Sequence, residues 1–160
     1  MATWKEKMIR VNDFTGSQIV TEFAGEDLYR LSYPVHAEVF TNEGRLVYDM
    51  AIGFPTNMRS GSHLIDFLIP KFTKNNRYNL ALLCHDFAYT KLDSGQNPIS
   101  RALADELLRQ MVVFSGQLGS IRAGIMHLAL RIGGASAYEC ENTGDYADAG
   151  ALMKFEWVNR

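Results

Sequence analysis

Along the first third of the chain, β-branched and aromatic residues alternate with polar ones between turn signals. This period-two pattern predicts strands at 8–14, 18–23, 28–40 and 45–53. Between the last two, TNEG supplies Asn42 and Gly44 as hairpin punctuation, so VHAEVF and RLVYDMAI are expected to pair antiparallel in a small twisted sheet. Residues 53–63, GFPTNMRSGSH, have loop composition, with two glycines, a proline and small polar side chains. Beyond them the spacing becomes helical. HLIDFLIPKF is a short apolar segment interrupted by Pro70, and NRYNLALLCHDFAYTKL predicts a helix over 76–92. RALADELLRQMVVFS predicts a second over 101–115, with Ser100 as its N-cap. A third, SIRAGIMHLALRI, is expected to end in a left-handed cap at Gly133 and Gly134, and a last strand is expected at KFEWV.

The fold class is therefore α+β: a small antiparallel sheet from the N-terminal third, followed by an antiparallel helical hairpin and a third helix. A chain of 160 residues that is 47% apolar suits one domain with a real core. Within it, 1–53 is strand-rich, 54–75 a loop with a short helix, 76–134 a three-helix region and 135–160 a tail.

Charge and cysteine narrow the classes of function. Sixteen basic against eighteen acidic residues leave a net charge of -2, which provides no basic field, so nucleic acid is not an expected partner. Two cysteines, Cys84 and Cys140, cannot build a disulfide framework, so the core must hold the fold. No secretory signal is visible, and no stretch approaches the roughly 20 apolar residues that cross a bilayer. The expected location is a cytoplasm or a larger soluble assembly.

Candidate chemistry concentrates at His85 and Asp86. At 100° per residue, Tyr78, Leu82, His85 and Tyr89 share one face of the first long helix, with Asp86 beside it. On the second helix, Arg101, Asp105, Leu108 and Val112 share a face, and Leu103, Leu107, Met111 and Phe114 form another, which leaves Asp105 covered. A short connection around Gly95 would fold the two helices antiparallel and bring His85 level with Asp105. The carboxylate could then fix one imidazole nitrogen while the other takes a proton from water, a general base with its orienter. Asp86 would be placed to hold a hard cation such as calcium, completed by carbonyls of the 53–63 loop. The alternative is a core histidine with its polar needs met, beside a capping or ion-pairing aspartate. Of the other histidines, His36 suits a sheet surface and His127 a satisfied core position. Cys84 diverges from His85 by 100° and suits a small buried group.

The stretch HDFAYTKLDSGQNPISRALADELLRQM resembles the catalytic core of phospholipase A2 enzymes, and looks closest to the parvovirus capsid version. That resemblance covers about 30 residues. It implies His85 as the water-activating base, Asp105 as its orienter, Tyr89 as a partner in the network, and Asp86 as a Ca2+ ligand. The implied reaction is hydrolysis of a phospholipid ester at a membrane surface, with the cation's charge on the oxyanion. A second resemblance runs from about Gly53 to Tyr138. GFPTN, ALLCHDFAY and SRALAD are similar, in that order, to a phage and prophage family known only as a domain of unknown function. It implies a virion or host-cytoplasm location and other virion proteins as partners. Gly53 and Asn57 belong to the loop that would complete the metal set, but Asn57 stands where that family usually has aspartate. The tight glycine-rich calcium loop of the phospholipases is also missing, since Gly53 and Gly61 are too far apart for it.

Two other readings stay open. LALLCHDFAY also resembles the central helix of HD-type metal phosphohydrolases, with His63 as a first ligand, but Ala88 and Tyr89 stand where that family commonly has Gly-Lys, and Asp145 and Asp148, which would have to supply the last ligand, lie on a tail that reads as irregular. A non-catalytic tail or head component that keeps the fold is the other, its strand-rich start and KFEWV pairing with neighbouring subunits by edge addition.

Overall fold

The computed structural model describes residues 9–25, 28–57, 70–90, 98–140 and 154–159, and for Thr90 and 134–140 the backbone alone. The chain order is β1 (Val11–Gly16), β2 (Thr21–Gly25), β3 (Leu28–Leu31), β4 (Val35–Thr41), β5 (Arg45–Met50), β6 (Pro55–Thr56), α1 (Asn76–Thr90), α2 (Arg101–Phe114), α3 (Ser120–Cys140) and β7 (Lys154–Val158). This is the expected α+β arrangement, strands first and three helices after, with α1 and α2 as a hairpin.

The strands divide into two antiparallel sheets, β1-β4-β5-β7 and β2-β3-β6. The predicted strand 28–40 is thus two strands in different sheets, parted at Ser32, Tyr33 and Pro34. Proline has no N–H and a fixed φ, and here it falls where the chain changes sheet. The Leu31 and Ser32 amides still bond to the carbonyls of Phe54 and Val20, which directly precede β6 and β2 of the second sheet, whereas Val35 already faces Met50 of the first. β4 buries every second residue, as alternation demands, and packs Val35, Ala37 and Val39 inward. The β4–β5 turn works as read: Gly44 has a φ of 145°, and Thr41 Oγ1 donates to its carbonyl. β7 forms at KFEWV and adds to β5 within the same chain.

The helices are capped by the residues that flank them. Asn75 Oδ1 accepts the Tyr78 amide at the start of α1, and Ser100 Oγ accepts the Leu103 amide at the start of α2. Asn75 Nδ2 also donates to the Ser115 carbonyl, which ties the first turn of α1 to the end of α2 and sets the two antiparallel. Gln110 latches α2 to the first sheet, donating to the Ile9 carbonyl and accepting the Val11 amide. β1 approaches α1 so closely that a Cβ on Gly16 would lie 2.7 Å from Leu80 Cδ2. α1 therefore sits between sheet and helices, and every residue from Tyr78 to Tyr89 is buried.

α3 does not stop at Gly133 and Gly134. Both glycines lie inside a helix that continues to Cys140. Glycine weakens a helix interior by about 1 kcal/mol but ends one only where it turns left-handed, and neither has a positive φ here. The short helix expected within 54–75 falls largely on residues outside those described, as do the connection at Gly95, Gly61, His63, Asp145 and Asp148.

Candidate functional site

His85, Tyr89 and Asp105 come together where α1 crosses α2. His85 Nε2 lies 3.1 Å from Asp105 Oδ1, and the Tyr89 hydroxyl donates to the same oxygen. The spacing of four residues stacks the two α1 rings, with centroids 4.2 Å apart. Asp105 has no solvent exposure, His85 has 5% and Tyr89 3%. A carboxylate in such a place must be matched by donors. Arg131 of α3 supplies another, Nη1 to Oδ2 at 3.1 Å, and the Arg101 guanidinium stands 3.9 Å away through its Nε.

These contacts set the charge of the site. Burial alone would raise the Asp105 carboxyl, but the His85 and Tyr89 hydrogen bonds and the neighbouring Arg131 outweigh it and hold the group below its ordinary value. The Tyr89 phenol is raised, first by burial and then by the Asp105 charge, so it remains a donor. An ionised carboxylate can only accept, which makes His85 Nε2 the donor and, in the neutral tautomer, puts the lone pair of the ring on Nδ1.

Asp86 points elsewhere, as adjacent helix positions must. Its Oδ2 accepts the hydroxyl of Thr56, a buried residue of β6. Thr56 in turn pairs with Tyr29 of β3, so this polar contact ties the second sheet to α1. Asn57 follows Thr56 and is half-buried. Gly53 adopts a φ of 83°, its amide donates to the Leu31 carbonyl, and its own carbonyl accepts from Arg30 Nη1 at 3.2 Å. A cation at that oxygen would stand beside the positive charge of a guanidinium. Among the described residues no three His, Cys, Asp or Glu side chains converge as a metal set.

Arg131 and Thr56 are the two partners that sequence reasoning did not single out. Arg101 was legible, four residues before Asp105 on the same face. Arg131 left a fainter signal, as an arginine next to Leu130 and Ile132 in an apolar helix. Cys84 is buried with its thiol pushed up by burial, in keeping with an inert core group. His36 lies on the sheet surface as expected, paired with Asp49 at 2.5 Å, and that contact raises it. His127 is not a core residue. It is half-buried, 3.8 Å from Glu106 of α2, because it falls between the buried and exposed faces of α3.

Comparison with protein-family models, with curated proteins and with solved structures gives no match for this chain.

Proposed function

We propose that this chain is a phage-type hydrolase of phospholipid esters in which His85 is the general base and Asp105 its orienter. The observation that carries the reading is the His85 Nε2 to Asp105 Oδ1 contact of 3.1 Å at a carboxylate with no exposure. With Nε2–H committed to Asp105, Nδ1 takes a proton from a water as that water attacks the ester carbonyl. The ester C–O bond then breaks, and the imidazolium returns the proton to the departing alcohol oxygen. Asp105 stabilises the imidazolium formed between these steps. Tyr89 and Arg131 keep Asp105 ionised, so that it orients the ring rather than taking the proton.

Calcium, where such enzymes bind it, supplies positive charge to the oxyanion. The described donors supply only part of a shell for it: Asp86 accepts the Thr56 hydroxyl on one oxygen, and the Gly53 carbonyl accepts from Arg30. No step above runs through a cation, and Asn57 adds no carboxylate to the set.

The test is release of fatty acid from phospholipid mixed micelles, with millimolar calcium and with a chelator. Wild-type protein is expected to release fatty acid, and His85→Gln to reduce the rate about 100-fold or more while keeping the helical circular dichroism of the wild type. No release under either condition, or release that His85→Gln leaves unchanged, would overturn the proposal.

One observation favours a second reading, a non-catalytic virion component. Asp105 receives donors from α1 and α3 while it sits on α2, so the network also locks three helices together. Presence in purified particles, with particle yield unaffected by His85→Gln, would favour that role.

A further inference from the structure

Helix α3 packs Ala123, Met126 and Leu130 inward and leaves a second apolar face outside. Ile121 is 81% exposed, Ile125 45%, Leu128 59% and Ile132 76%. The spacing along the helix is four, three and four residues, which puts all four on one narrow stripe with the 3.5-residue period of a helix–helix seam. A helix that is apolar on opposite faces is normally covered on both.

We infer that this stripe is the contact face of an antiparallel homodimer, α3 against α3 of a second copy. The spacing reads the same in both directions. A two-fold axis between Ile125 and Leu128 therefore brings Ile121 level with Ile132 of the second copy and Ile125 level with its Leu128, each pair occurring twice. The charges permit it. Arg122 and Arg131 lie on opposite flanks of the stripe, and in an antiparallel pair like flanks meet. Arg122 then comes level with Ala129 and Gly133 of the second copy, and Arg131 with its Ser120 and Gly124, so no two arginines face each other. Gly124 has nothing within 4 Å of where a Cβ would be, so its flank is open to a close neighbour.

The area agrees. Four such side chains expose roughly 500 Å², within the range of about 300–600 Å² of a monomer's largest apolar patch, which is often a functional one. Buried in full on both copies, the stripe comes to the roughly 1,000 Å² at which a specific interface begins. The seam also lies beside the polar network, because Arg131, which holds Asp105, directly precedes Ile132.

Sedimentation equilibrium of the full chain over a wide concentration range tests the inference. The wild type is expected to dimerise reversibly, and Leu128→Glu, near the two-fold axis, to weaken the dimer by about tenfold or more. Its far-ultraviolet spectrum should be unchanged, since the side chain it replaces is exposed. The double variant I121K/I132E separates the two orientations. An antiparallel seam brings the new opposite charges together and keeps the dimer, whereas a parallel one brings like charges together and loses it. A wild type that stays monomeric at every concentration, or a dimer indifferent to Leu128→Glu, overturns the inference. A monomer that co-sediments with phosphatidylglycerol vesicles, and ceases to do so as Leu128→Glu, would overturn it in favour of a lipid-facing helix.

Discussion

Helices α1 and α3 break the usual rule of burial in opposite ways. α1 carries a histidine and an aspartate where water scarcely reaches, with exposures of 5% and 6%, while α3 carries four large aliphatic residues in water. Exposed single aliphatics are ordinary, and so is a polar residue at a helix end. A buried polar network and an ordered apolar stripe are not. The first has its partners inside the chain, where Asp105, Thr56 and Arg131 meet its needs; the second has a pattern that a second helix would meet. In the proposed readings the polar departure bears on chemistry, and the apolar one on assembly.

Substitutions sharpen that contrast, and the largest effect belongs to α1's network. Asp105→Ala removes the acceptor of His85, Tyr89 and Arg131 at once, and breaking such a buried set should lower stability by about 3–5 kcal/mol, read from urea unfolding at neutral pH. The same carboxylate sets a pH dependence. Its folded value is depressed, so its contribution is complete above its ordinary value near 4 and is lost as pH falls through the lower folded one. Urea midpoints of the wild type should therefore fall more steeply below about pH 4 than those of Asp105→Asn. Equal slopes would show that Asp105 is not the group involved.

Tyr89→Phe comes next. It keeps the ring against His85 and removes one hydrogen bond to a charged acceptor, so a loss of about 1–2 kcal/mol is expected in the same assay. The smallest effect is on the other side of the comparison. Leu128→Glu at concentrations below dimerisation should change stability by no more than about 0.5 kcal/mol, because an exposed position has little packing to lose. A loss as large as that of Tyr89→Phe would mean that the stripe is packed within the chain.

The sequence carried these regions unequally. His85 and Asp105 were legible because two periodic signals and a short connection place them level, and the helical period alone put Tyr89 on the same face. The cap at Ser100 and the turn at Gly44 were legible from residue type. What lay beyond local pattern depended on tertiary contacts. The change of sheet at Pro34 follows from which strand Leu31 and Val35 pair with, and no window of sequence contains that choice. The continuation of α3 past Gly133 is another such case, since glycine's preference for a cap is small beside the packing of the turns before it. Those turns are anchored through Arg101, which donates to the Leu130 and Arg131 carbonyls. Thr56 as the partner of Asp86 required knowing that β6 lies against α1, thirty residues away in the chain.

In the proposed site Asp105 holds the proton of His85 on Nε2, so that Nδ1 is the basic nitrogen. Long-range proton–nitrogen correlation spectra of protein labelled with nitrogen-15 in histidine report this directly. In the neutral ring of His85 a protonated Nε2 and an unprotonated Nδ1 are expected, with that preference lost in Asp105→Ala if the variant stays folded, and weakened in Tyr89→Phe. A His85 ring protonated on Nδ1 with a bare Nε2 would contradict it, since an ionised Asp105 would then face a lone pair and could not orient the base.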